Sequence, residues 1–140
     1  MKFKILPKRR AYNVHRQDIV ARAMHISTHA AKYGFDWNKP EDVLDKLCEE
    51  IEEIRDALQN PHYPHHLDDE IGDLFFALVN FARKANIPPQ KAFQRGVSKF
   101  ERRFNALKKL AFCAGLRLQS LDANALDALW TRVKSEENTP

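Results

Sequence analysis

Cysteine is nearly missing from this sequence, with only Cys48 and Cys113 in 140 residues. The two stand too far apart for a C-x-x-C pair. That excludes a disulfide framework and a clustered-thiol metal site, and it points to a reducing compartment, the cytoplasm. Glycine is almost as scarce, with four residues, and none of them forms G-x-G-x-x-G or G-K-[ST]. Any phosphate must therefore be met by side chains and metal rather than by a glycine loop. No apolar run approaches the ~20 residues of a membrane span. The first ten residues, MKFKILPKRR, lack the apolar stretch and small-residue cleavage site of a secretory leader. No segment alternates with the period of a strand. Low-complexity tracts, linkers and tandem repeats are also missing, so a single domain over residues 1–140 is expected, with residues 1–9 as a loose basic arm.

What is present is helical periodicity and a lopsided charge. Hydrophobic residues make up 44% of the chain, enough for one core. A first helix is expected from about Tyr12 to Tyr33, closed by Gly34. Pro40 suits the first turn of a second helix, whose Leu44, Leu47, Ile51, Ile54 and Leu58 recur three and four apart. Asn60 and Pro61 stop it, and His62 to His66 read as a connector. A third helix carries Leu67, Ile71, Leu74, Leu78, Phe81 and Ala85 and stops near Asn86 to Pro89. A fourth carries Phe93, Val97, Phe100, Phe104, Leu107 and Ala111, with Gly115 beyond its end. Asp122 can cap a last helix bearing Leu126, Leu129, Trp130 and Val133. The fold class expected is all-α, an antiparallel bundle of about four core helices plus a C-terminal helix. Several faces are wide enough to bury against a second copy.

The net charge of +4 hides a segregation: residues 41–73 hold twelve acids against two cations, Lys46 and Arg55, a net −10 that leaves +14 on the remainder. A nucleic-acid binder does not usually interrupt its basic surface with such a block. Carboxylates for a cation, and cations for phosphates, do need both. At ~100° per residue, Glu50 and Glu53 flank Leu47 on one side of the second helix. Glu70 and Asp73 flank Leu67 at the same offsets on the third. Antiparallel packing of the two stripes brings the four acids towards one place. Four converging carboxylates repel, and a hard divalent ion relieves them; oxygen-only ligands select Mg²⁺, with Mn²⁺ as substitute, over Zn²⁺.

The sequence E-E-x-x-E at Glu49–Glu53, followed by E-x-x-D at Glu70–Asp73, resembles the signature of the MazG family of all-α nucleoside triphosphate pyrophosphatases. G-F-D-W at Gly34–Trp37, the run from Glu70 to Arg83, and K-F-E-R-R-F at Lys99–Phe104 extend the likeness from roughly Asp18 to Glu136. The resemblance implies metal ligation by Glu50, Glu53, Glu70 and Asp73, with Glu49 or Glu53 orienting the attacking water. It implies nucleotide or phosphate contacts from Lys46, His66, Asp69, Lys99, Arg103 and Trp130. The implied reaction is Mg²⁺-dependent hydrolysis of an NTP or dNTP between the α- and β-phosphates by a homodimer, without membrane or nucleic-acid partners. From the residues alone, Arg95, Lys99 and Arg103 form a basic ridge at i, i+4, i+8 that also suits an ordinary solvated face. Trp130 suits a core position as well as a stacking one.

Rivals are weaker. A carboxylate-bridged di-iron bundle needs E-x-x-H on two helices, and no glutamate here has a histidine three residues on. A non-catalytic nucleic-acid- or protein-binding module leaves the acid quartet without a role. His25 and His29 are i, i+4 but lack a third ligand, so surface or packing roles are expected. Cys48 and Cys113 fall near apolar positions, where buried inert thiols are expected.

Overall fold

The computed structural model describes residues 18–60 and 64–137, with the backbone alone at 64–66. The expected basic arm, residues 12–17 of the first helix, and His62 lie outside the described residues. Five α-helices and one short 3₁₀ turn make up the described chain: α1 (Ile19–Ala31), α2 (Pro40–Gln59), α3 (Pro64–Lys84), α4 (Pro89–Cys113), the turn Leu118–Ser120, and α5 (Ala123–Glu137). No strand occurs among the described residues. No helix among them is long and apolar enough to cross a membrane.

Helix ends follow local chemistry. The Asp18 carboxylate accepts from the Val20 N–H at 2.9 Å and caps α1. Past the end of α1, Gly34 sits at φ +80°, so the Phe35 N–H can reach back to the Ala30 carbonyl at 3.2 Å. α2 opens with Pro40, and the Asp42 carboxylate takes the Lys39 N–H at 3.2 Å. α3 ends in the same left-handed manner at Asn86, φ 55°, one of the few residue types besides glycine that tolerate it. Gly115 closes α4 at φ +67°, and Asp122 caps α5 through the Ala125 N–H at 2.8 Å. Two helix starts differ from the sequence reading: α1, expected from about Tyr12, begins at Ile19, where Asp18 is its non-helical cap. α3 begins at Pro64 and takes His65 and His66 into its first turn, where a proline lacks nothing the helix needs.

The chain divides into two compact units at Pro89 and Gln90. In the first, α3 packs along α2 and also meets α1. Val43, Ala77 and Ala82 are its buried apolar residues, and Ser27, Glu50, Glu70 and Asn80 are buried with them. In the second, Leu107, Ala111 and Val133 are buried. The apolar stripes expected to be core are only partly so: Leu78 is 52% exposed and Phe93 70%, and Phe75, beside the third-helix stripe, is 63% exposed. Both cysteines are exposed, contrary to expectation. Cys48 lies about 100° round α2 from Leu47, which takes it off the packed stripe. His25, His29 and Tyr33 form an exposed ladder of rings along α1, with centroids 6.4 and 5.1 Å apart.

A polar clamp ties the α1–α2 loop to the end of α3. Asp36 accepts from Arg83 Nη1 at 3.2 Å and from Lys84 Nζ at 3.1 Å, and pairs with Arg83 Nη2. Arg83 is held in turn by the Asn80 side-chain oxygen at 3.2 Å. The Arg83 hydrogen bond, outweighing partial burial and helped by Lys84, lowers the Asp36 carboxyl from 3.8 to about 2. A depressed carboxyl adds stability above its unfolded pKa and loses it as pH falls through the folded one. Asp36→Asn is therefore expected to lower stability by about 1.5–3 kcal/mol at neutral pH. The gap should close as pH falls from about 4 towards 2. Urea unfolding of both proteins across that range checks it; a gap that stays constant with pH would show that the charge of Asp36 is not what stabilises the loop.

Candidate active site

The acids of α2 and α3 do meet. Carboxylate oxygens of Glu50, Glu53 and Glu70 all lie within 4.8 Å of one another. The α2–α3 packing sets their places. Glu50 and Glu53 are one turn apart on α2, and Glu70 faces them from the first half of α3. Glu50 is 4% exposed at its side chain, and Glu70 is buried too. Withdrawal from water, and then the Glu50 carboxylate beside it, push the Glu53 carboxyl above its ordinary range; Lys46 works against this and Glu70 adds to it.

This donor set suits a hard divalent ion. Glu50 Oε2 is buried and has no hydrogen-bond partner among the described residues. An anionic oxygen kept from water without a donor is costly, and a cation shared with Glu53 and Glu70 would satisfy it. Three carboxylates and no nitrogen or sulfur favour Mg²⁺ or Mn²⁺ chemistry. Asp73, one turn beyond Glu70, is exposed and lies outside the 4.8 Å group.

Lys46 joins the site from one turn before Glu50. Its Nζ lies 2.8 Å from Glu50 Oε1 and 2.9 Å from Glu49 Oε2. Those two hydrogen bonds, Glu50 first, push the Lys46 ammonium above its usual range. Glu49 thus shares the Lys46 ammonium with Glu50 and, with Asp45, Cys48, Glu52, Glu53 and Asp56, lines an open acidic hollow along α2. Asp69 is exposed, and the His66 side chain lies outside the described residues.

The remaining candidates belong to the second unit. Arg95 and Lys99 are exposed on α4. Arg103, on the same ridge, donates its Nε to Glu137 Oε2 at 2.7 Å. Trp130 is half-buried and packs on Phe100 with ring centroids 5.5 Å apart. Arg103 and Trp130 are thus both set by the contact of α4 with α5. The sequence reading missed Glu137, which also accepts from Arg102 Nε at 2.7 Å. A separation of 34 residues leaves no periodic signal for that pair.

Comparison with known proteins gives this arrangement relatives. The family described as the MazG nucleotide pyrophosphohydrolase domain matches residues 38–107. The chain is 35% identical over 120 residues to the nucleoside triphosphate pyrophosphohydrolase/pyrophosphatase MazG of Thermotoga maritima, covering 86% of this chain and 46% of that protein. It is 37% identical over 117 residues to the nucleoside triphosphate pyrophosphohydrolase of Escherichia coli K12, covering 83% and 44%. An uncharacterized protein of Bacillus subtilis, YabN, is 39% identical over 77 residues, 55% of this chain and 16% of its own length. The chain spans less than half the length of the two pyrophosphohydrolases.

Proposed function

Because the chain belongs to the MazG nucleotide pyrophosphohydrolase family, we propose that it hydrolyses nucleoside triphosphates, ribo or deoxy, between the α- and β-phosphates. The products are a nucleoside monophosphate and pyrophosphate. The observation that carries this reading is the convergence of Glu50, Glu53 and Glu70 around a buried oxygen that lacks a donor. Those three would hold Mg²⁺, with Asp73 turning inwards from its exposed position as a fourth ligand. The ion supplies positive charge to the phosphate oxygens and acidity to the nucleophilic water. Glu53 or Glu49 orients that water and takes its proton. Lys46, Lys99 and Arg103 neutralise charge on the polyphosphate, where planar or ammonium donors gain most as the leaving group develops charge. Trp130 stacks on the base, and His66 and Asp69 contact the nucleotide from the start of α3.

The family match runs without a break from α2 to α4, which supports one catalytic domain. Exposed Phe75 and Phe93 support a homodimer that covers them. Two free, exposed thiols suit the cytoplasm. The reaction is tested by incubating the purified protein with a panel of NTPs and dNTPs and Mg²⁺, and identifying products by phosphorus NMR. Monophosphate and pyrophosphate are expected in equal amounts. Diphosphate with orthophosphate would keep the metal site and overturn the bond assignment.

A further inference from the structure

We infer that Glu137 is a positioning residue that fixes the Arg103 guanidinium for the polyphosphate, an inference that rests on the reading of Arg103 as a phosphate contact. The geometry separates two roles a carboxylate can have beside an arginine. One that competes with substrate takes the outer edge of the guanidinium, where both terminal amino groups donate. Glu137 instead takes the Nε of Arg103, at 2.7 Å from Oε2. The two terminal Nη groups of Arg103 have no hydrogen-bond partner among the described residues. An arginine held by its Nε keeps its fork free in a fixed plane, the arrangement that binds a phosphate through two parallel bonds.

Charge and anchoring agree with this. The other Glu137 oxygen is occupied by Arg102, so the carboxylate is held from both sides and cannot swing away with Arg103. Two guanidiniums share one carboxylate, which leaves a net positive charge for an incoming anion. Arg103 is 22% exposed at its side chain, whereas Arg102 is 62% exposed. Arg103 is therefore the one set by packing, and Arg102 steadies Glu137 from the solvent side. The Phe100–Trp130 ring contact joins α5 to α4 at the same junction.

The test compares wild type with Arg103→Ala, Glu137→Ala, Glu137→Gln and the Arg103→Ala/Glu137→Ala double variant, all as the full chain. Three readouts are taken: affinity for a non-hydrolysable α,β-methylene triphosphate with Mg²⁺ by calorimetry, kcat and KM for the hydrolysable nucleotide, and melting temperature. Glu137→Ala is expected to weaken analogue binding about tenfold, the scale of a charge-assisted hydrogen bond, and to raise KM and lower kcat together, because a misplaced Arg103 meets neither the bound polyphosphate nor the charge on the leaving group. Glu137→Gln keeps an acceptor and the side-chain shape, so a smaller loss in the same direction is expected. In the Arg103→Ala background, removing Glu137 should change affinity no further. A purely structural tie would lower the melting temperature and leave affinity alone, which overturns the inference. Tighter binding in Glu137→Ala would make Glu137 a competitor for the phosphate site, and also overturns it. Wild-type affinity in Arg103→Ala would remove the phosphate role of Arg103 itself, a failure distinct from an intact Arg103 effect with silent Glu137 variants.

Discussion

Glu50→Gln is expected to lose at least roughly a hundredfold in Mg²⁺-dependent turnover, because charge supplied by an ion at a phosphoryl centre is worth several kcal/mol. The substitution changes little else. The side chain is 4% exposed, so it must keep its shape, and an amide does. Its oxygen can still accept from Lys46. Its new N–H₂ can donate towards Glu53 or Glu70, carboxylates that the native Glu50 repels. The metal-free variant should therefore melt at or slightly above the wild-type temperature. What should vanish is the rise in melting temperature that Mg²⁺ gives the wild type through linkage. Asp73→Asn is expected to lose turnover too, if the proposed inward turn of its carboxylate supplies a fourth ligand. Thermal melts with and without Mg²⁺, alongside turnover, separate a lost ion from a lost fold. A Glu50→Gln protein that turns over at the wild-type rate would remove the metal site from this cluster.

The parts of this site that sequence could reveal are those fixed by helical phase. Glu50 and Glu53 share one side of α2 whatever surrounds them, and Glu70 has the matching offset on α3. One packed pair of helices then suffices to bring them together, and α2 and α3 are that pair. Asp73 has the same phase but stands exposed outside the group, because phase fixes where a side chain starts and its torsions decide where the carboxylate ends. Helix ends were legible at Gly34, Pro40, Gly115 and Asp122, whose backbone preferences are strong and local. The start of α3 was not: Pro64 reads as part of a connector that breaks a helix, although a proline also suits the first position of one, and sequence alone does not choose between the two. The exposed cysteines show the converse, since nearness to apolar residues in sequence says little about which face of a helix a thiol occupies.

Contacts between distant helices left no trace in the sequence. Asp36 reads as a turn residue before Trp37, and only the fold shows that it gathers Arg83 and Lys84. Glu137 reads as the end of a helix in a charged tail, and only the fold places it on Arg103. Ion pairs of this kind depend on which helix faces which, and no one-dimensional period encodes that. The family resemblance supplied the roles of Lys99, Arg103 and Trp130. Periodicity alone would have left them as a solvated ridge and a core residue.

Lys46→Met should move stability and metal affinity in opposite directions. In the metal-free protein the Lys46 ammonium lies 2.8 Å from the buried Glu50 carboxylate. Methionine keeps most of the apolar stem but removes the charge, and it leaves Glu50 buried with no donor on either oxygen. Breaking such a pair is expected to cost about 1–3 kcal/mol, below the fully buried range because Lys46 is 37% exposed. The metal-free variant should therefore melt lower than wild type. Mg²⁺ should then stabilise it more, because a divalent ion no longer competes with a lysine for Glu50 and meets a site with one positive charge fewer. Turnover should nevertheless fall roughly ten- to a hundredfold, through loss of a charge-assisted bond to the phosphates. A lysine that only braced α2 would give the lower melting point with turnover unaffected. If Mg²⁺ stabilised Lys46→Met less than wild type, Lys46 would be supporting the ion rather than holding its place.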